Sequence, residues 1–322
     1  MTISDDVHTI LGIETSCDET AAAVVSDGTV VRSNVVSSQV DLHARFGGVV
    51  PEVAGRAHES IIMSVVVEAL VEAAAEDSEI DAVAVTRGPG LVGSLLIGVA
   101  AAKALALVWG VPCIGVNHLE AHLYAALLEE PDLELPVVVL LVSGGHTMLV
   151  LFEGHGRYRL LGSTLDDAAG EAFDKVARYL GLGYPGGPAI DQISNEGDPT
   201  AVQFTRAMMH DGLDFSFSGM KTAVINHVRS NPDVGTADVA ASFQAAVVDV
   251  LIHKTRLAAE QNNARGICLA GGVAANSLLR ERTLELCTNG GFQDFLPSRS
   301  MCTDNAAMVA AVGWWNYRQA GA

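Results

Sequence analysis

Two histidines four positions apart, His118 and His122 in NHLEAH, carry the clearest chemical signal in this chain. On a helix such positions share a face with Cβ atoms about 5–6 Å apart, close enough for both imidazoles to bind one divalent ion. Two unrelated surface histidines would show the same spacing. A zinc-protease signature places a glutamate directly after the first histidine as general base. Here Glu120 stands two places on, about 200° round the helix, and faces away. The inverted protease order fails as well, so a metalloprotease is disfavoured. A third ligand is required, and CTDN (Cys302–Asn305) offers Asp304 at what reads as the first turn of a final helix. The ordinary role of Asp in that place is an N-cap. Two histidines, one carboxylate and open positions suit iron(II) or zinc, and leave room for a substrate oxygen.

Glycines and small polar residues gather at strand ends. SGGHT (Ser143–Thr147) lets the backbone approach an anion, although a plain β-turn uses two glycines with no ligand at all. LAGGVAAN (Leu269–Asn276) repeats the theme as strand, glycine pair and helix. LAGGVAAN lacks the GxGxxG spacing of a dinucleotide fingerprint and GxxxxGK[ST] is absent throughout, so a dinucleotide dehydrogenase and a P-loop enzyme are disfavoured. Carboxylates concentrate in ETSCDET (Glu14, Asp18, Glu19) and DDAAGEAFDK (Asp166, Asp167, Glu171, Asp174). In so acidic a chain most of them read as solvated surface. Asp174, at what reads as a helix start, could accept hydrogen bonds from ribose hydroxyls. The aromatics of DFSFSGMK (Asp214–Lys221) read as core.

The elements that must position these residues alternate between short β-branched runs and longer helical blocks, an α/β pattern. Thr9–Ile13 and Ala21–Val25 flank ETSCDET, and Val137–Val142 and Met148–Phe152 flank SGGHT. A strand, polar loop, strand unit thus opens each half, which suggests two related lobes. Helices are predicted over Arg56–Glu76, Val92–Trp109, His118–Leu128, Asp174–Leu180, Val239–Gln261 and Asp304–Arg318. EEPDLELP, with two prolines, marks a boundary near Pro131–Pro136. The predicted domains are 1–134 and 135–322, with the last helix (304–318) packing back on the first.

The chain has 322 residues, enough for two cores, and 19 basic against 38 acidic residues leave a net charge of −19. That charge argues against a protein that coats nucleic acid with Lys and Arg. Five dispersed cysteines without a CxxC pair fit a reducing compartment and no thiolate cluster. The polar, acidic start MTISDDVHT is no signal peptide. Leu91–Val111, the most membrane-like stretch, contains Gly93, Gly98 and Lys103 and reads as a buried core helix. A cytoplasmic protein with no membrane partner is expected.

Taken in order, ETSCDET, GGVVPEVAGRAH, TRGPGLVGSLLIG, NHLEAH, LLVSGGHT, DDAAGEAFDKVARYLGLGYPGGP, DFSFSGMKTA, AGGVAAN and CTDN resemble the bacterial TsaD family from about residue 10 to 313. That family comprises tRNA threonylcarbamoyladenosine transferases, formerly described as glycoproteases. One departure is AAAVV after CDET, where many relatives place a glycine first. The resemblance implies an actin/sugar-kinase/Hsp70-like (ASKHA) fold of two ribonuclease-H-like lobes with a cleft between them. It implies His118, His122 and Asp304 as ligands of one divalent metal, Fe(II) with Zn as the alternative. It implies that Leu141, Val142, Ser143, Gly144 and Gly145 contact an adenylate, together with Asp174, Gly187, Asp191 and Asn276.

The implied reaction moves threonylcarbamoyl from threonylcarbamoyl-AMP to the exocyclic amine of adenine 37 in a tRNA anticodon loop, releasing AMP. That amine must lose a proton, and Asp18 and Glu19 are the expected acceptors. Implied partners are a TsaB-like paralogue and a TsaE-like ATPase. They would offset a scarcity of lysine that leaves Arg56, Arg87 and Arg178 to meet RNA. Different classes remain in view: a non-catalytic scaffold of the same fold, which keeping all three ligands argues against, and an ATPase. The stripe Ile61, Ile62, Val65, Val66 and Leu70 faces either the core or a partner.

Overall fold

The computed structural model describes residues 8–130 and 133–320; the opening seven residues and Pro131–Asp132 of the inferred boundary lie outside the described residues. In chain order the first elements are β1 (Thr9–Glu14), β2 (Glu19–Ser26), β3 (Val30–Ser38), α1 (Val40–Ala44) and α2 (Pro51–Glu72). Next come β4 (Ala82–Gly88), α3 (Val92–Trp109), β5 (Cys113–Asn117) and α4 (His118–Glu129). A second series follows: β6 (Val137–Val142), β7 (Thr147–Gly154), β8 (Arg157–Ser163), α5 (Ala169–Tyr179), α6 (Gly186–Ser194), α7 (Ser218–Ser230) and α8 (Thr236–Gln261). The chain continues through β9 (Gly266–Ala270), α9 (Ser277–Gly290), β10 (Gln293–Phe295) and α10 (Arg299–Cys302) to α11 (Ala306–Ala320). Two compact units result, Met1–Asp132 with Asp304–Ala322, and Leu133–Thr303.

Each unit is built on one five-stranded mixed sheet, and the two sheets have the same topology. The orders are β3-β2-β1-β4-β5 and β8-β7-β6-β9-β10. In both, the first three strands form an antiparallel meander and the last two join it in parallel. The strand, loop, strand pairs read from sequence are the first two strands of these sheets. Their polar loops therefore sit at the carboxyl ends of the parallel strands, where open α/β sheets bind ligands.

In the first unit β1 is buried on both faces. Leu11 and Ile13 meet Ile62, Val65, Val66 and Ala69 of α2 and Ala102 and Ala106 of α3. On the other face a Cβ at Gly12 would run into the Ala306 carbonyl and Ala310 of α11, so glycine is what lets that helix lie flat on the strand. In the second unit Val138, Leu140 and Val142 of β6 share a core with Phe173 of α5 and with Phe243, Val247 and Leu251 of α8. Phe215 and Phe217 are buried in it too.

Several local expectations need correction. Helix α2 starts five residues before the expected Arg56, because Pro51 sits where a helix tolerates proline, in its first turn. Helix α5 starts at Ala169, so Asp174 lies in mid-helix. In its first turn a Cβ at Gly170 would press on the Ser143 carbonyl at 2.5 Å. Helix α3 is not a buried core helix. It packs through the small residues Ser94, Gly98, Ala102 and Ala106, four apart on one face. That leaves Val92, Leu96, Leu107 and Val108 in solvent, Leu107 at 83% exposure. On α2, Ile62, Val65 and Val66 go to the core with Ile61 and Leu70 packed beside them, whereas Met63, Val67 and Val71 are exposed. Helices Val92–Trp109 and Thr236–Gln261 are long and apolar enough to cross a membrane by length and composition; the second is mostly buried.

Candidate metal centre and adenylate loops

Strand β5 runs directly into α4, and Asn117 at the junction caps the helix by accepting from the Leu119 and Glu120 N–H groups. His118 therefore opens α4 beside the carboxyl ends of β1 and β4, with His122 one turn further on. The two rings lie edge to face with centroids 4.7 Å apart. Asp304 comes from the far end of the chain. Asn305 takes the capping role of α11, accepting from the Met308 N–H. Asp304 thus stands just outside the helix rather than in its first turn, and its carboxylate is turned toward the histidines. Its Oδ1 lies 3.5 Å from Nε2 of His118 and 3.2 Å from Nε2 of His122. One ligand atom from each of the three residues falls within 4.8 Å of the others.

The donor set suits a divalent cation. His122 is 1% exposed, yet neither of its ring nitrogens makes a hydrogen bond. A buried imidazole nitrogen left in that state is costly unless something else coordinates it. Nδ1 of His118 is 3.1 Å from Oε2 of Glu14 and 3.3 Å from the Ser16 hydroxyl. A carboxylate on one ring nitrogen fixes the tautomer and presents the other to a metal. Glu14 is fully buried and also accepts from the Thr86 hydroxyl at 2.6 Å and the Ser16 N–H. Burial by itself would lower His118, but Asp304 and Glu14 outweigh it and push the imidazole up to about 9. The electrostatics of the pocket therefore favour a cation.

Glu14 was missed as a functional residue. Its signal was a carboxylate closing a mostly apolar strand, a place that requires a paired group. The ETSCDET carboxylates are not solvated surface: Asp18 is buried and Glu19 half-buried. Burial raises Glu19 to about 9, and the charges of Asp18 and Asp304 add to the effect. Burial and the Asp18 and Asp304 charges also push the Cys17 thiol up, far from a reactive thiolate. All five cysteines are free. Glu120 is outside the ligand group; its carboxyl is raised by burial and eased by Arg87.

In the second unit β6 and β9 end side by side, with Leu141 opposite Ala270. Leu141 and Val142 are buried in β6, and the chain then turns through Ser143, Gly144 and Gly145. Ser143 closes that turn, donating its N–H to the His146 carbonyl at 2.8 Å and accepting the His146 N–H on its hydroxyl. Gly271 holds φ +87°, and a Cβ there would meet the Val142 carbonyl at 2.5 Å. By contrast, Cβ atoms at Gly144, Gly145, Gly187 and Gly272 would face open space. Glycine is therefore not required there by packing within the protein, which fits a backbone approached from outside.

Three further candidates are held by helix ends. Asp174 Oδ1 accepts the Gly186 N–H at 2.7 Å at the start of α6. Asp191 accepts the N–H and hydroxyl of Ser277 at the start of α9. Asn276 caps α9 through Leu279 while its amide donates to Gln244.

Comparison with known proteins bears on both halves. The family model described as TsaD: tRNA N6-adenosine threonylcarbamoyltransferase matches residues 30–311. A protein of that description from Moorella thermoacetica is 58% identical over 313 residues, covering 96% of this chain and 92% of its own. One from Symbiobacterium thermophilum is 57% identical over 312 residues, with the same shares. Among solved structures, HypF from T. kodakarensis aligns over 97% of this chain and 48% of its own, with a TM-score of 0.67 at 14% identity. Component A of (R)-2-hydroxyglutaryl-CoA dehydratase from Acidaminococcus fermentans aligns over 97% and 99%, at 0.58 and 14%. These structural likenesses show the ASKHA fold. With sequence relatives this close along nearly its whole length, the chain belongs to the TsaD family, the tRNA N6-adenosine threonylcarbamoyltransferases.

Proposed function

We propose that this chain transfers threonylcarbamoyl from threonylcarbamoyl-AMP to the exocyclic amine of adenine 37 in tRNA, using both groups of residues described above. The observation that carries the reading is the meeting of His118, His122 and Asp304 around one point, with Glu14 on the remote nitrogen of His118. These three would hold the cation, Fe(II) by family resemblance with zinc as the alternative. When bound, it supplies a Lewis acid that polarises a carbonyl oxygen.

The protein's own residues perform the other tasks. Leu141–Gly145 and Gly187 offer backbone to the adenylate, and Asp174, Asp191 and Asn276 offer polar side chains fixed by the helices they cap. Asp18 and Glu19 take up the proton that the attacking amine must lose. Glu19, raised to about 9 chiefly by burial, holds its proton at neutral pH and is the poorer acceptor, so Asp18 is the first choice.

The exposed apolar residues of α2 and α3 (Met63, Val67, Val71, Leu96, Leu107) are assigned to a TsaB-like paralogue; a TsaE-like ATPase completes the set. The test is reconstitution with these partners, synthetic threonylcarbamoyl-adenylate and tRNA. A His118→Ala, His122→Ala double variant is expected to lose at least about 100-fold in transfer rate, as loss of a metal-held step does. A wild-type rate in that variant overturns the reading.

A further inference from the structure

Two histidines without an assigned role, His43 and His58, are both completely buried. They lie in one hydrogen-bonded chain whose direction is fixed at each end. At one end the Val50 N–H, which can only donate, points to Nδ1 of His43 at 3.3 Å. That nitrogen must accept, so the proton of a neutral His43 is on Nε2, 3.1 Å from Oε1 of Gln39. With its oxygen accepting, the Gln39 amide presents Nε2 as donor, 3.3 Å from Nδ1 of His58. The Thr20 hydroxyl donates to the same nitrogen at 2.7 Å. His58 is then protonated on Nε2, and Nε2 lies 3.1 Å from the Cys17 carbonyl, which can only accept. Every link has one donor sense. Reversing any of them would leave two donors or two acceptors face to face in a dry interior.

The receiving end is the turn that carries Asp18 and Glu19, and that turn is held by its backbone carbonyls. Cys17 accepts from His58, Asp18 accepts the Gln39 N–H at 3.0 Å, and Ser16 accepts the Leu91 N–H at 2.8 Å. Gly90 must be glycine for that last contact, since a Cβ would stand 2.6 Å from the Ser16 oxygen. We propose that the relay Val50–His43–Gln39–His58 fixes the Cys17–Glu19 turn, making His58 a positioning residue for the proton-accepting carboxylates. This rests on the reading that Asp18 and Glu19 serve the transfer. Burial holds His58 below the ordinary imidazole range, in keeping with a neutral ring.

Two measurements test it. In NMR of the wild-type chain with labelled histidine, the neutral rings of His43 and His58 are both expected as Nε2–H tautomers. An Nδ1–H form of either ring, or a charged His58 at neutral pH, overturns the relay and needs no variant to fold. In the reconstituted assay His58→Leu is expected to lower kcat at least about tenfold while KM for the adenylate moves less than about twofold, because small displacements of reacting groups act on the transition state. His58→Gln, whose Nε2 can still reach the Cys17 carbonyl, is expected to restore much of that rate. A wild-type kcat in His58→Leu, or equal losses in both variants, overturns the positioning role. Absence of transfer by the wild type would sink the function reading alone, leaving the tautomers to judge the relay.

Discussion

Around His118 a carboxylate does work that no ligand-spacing rule shows. Glu14 accepts three hydrogen bonds while fully buried, so its removal strands the Ser16 and Thr86 donors and frees the His118 ring. Glu14→Ala is expected to weaken divalent-cation affinity about 10–100-fold, measured by competition with a chromogenic chelator. Glu19 predicts a pH effect. Its folded pKa of about 9 lies above its unfolded value. Its contribution to stability is therefore fully present below the unfolded pKa and is lost as pH rises toward 9. Chelator-treated Glu19→Gln should match wild type near pH 4.5 and exceed it increasingly up to pH 9 in thermal melts. Half-burial screens the effect, so a gain of roughly 2–4 °C, about 1 kcal/mol, is expected. His118 and His122 were legible because helical spacing is a property of sequence. Glu14 and His58 were not, because Glu14 meets Thr86 and His118 72 and 104 positions away and His58 meets Thr20 and Cys17 38 and 41 positions away.

At the level of elements, alternation and polar turns revealed the opening strand pair of each sheet. Reading failed where an element's surroundings overrode its composition. Helix α3 is apolar all round, which suggested burial, but its small-residue face is the one that packs. The early start of α5 was hidden because DDAAG looks like loop until the approach of Gly170 to Ser143 is known. That approach predicts that Gly170→Ala displaces the Ser143–Gly145 turn. Calorimetry should show AMP affinity down by about tenfold, with an overpacking cost of about 1–3 kcal/mol in stability. Unchanged AMP binding would separate the turn from the adenylate. Asp304 was identified, but it lies before the helix, where Asn305 accepts from the Met308 N–H.

For the whole molecule, 38 acidic against 19 basic residues make unaided attraction to an RNA backbone weak. The apolar residues left in solvent on α2 and α3, from half to four-fifths exposed, would each contribute about 1–2 kcal/mol if fully covered by a partner. Val67→Asp with Val71→Asp is expected to abolish co-purification with the TsaB-like paralogue while the isolated chain melts as wild type. Retained co-purification would move the interface elsewhere.

The first unit is interrupted: its chain leaves before Leu133 and returns only at Asp304. On the ribosome, the three-ligand pocket and the helix that covers Gly12 therefore await translation of the entire second unit. Until then β1 has one bare face and the histidine pair lacks its carboxylate.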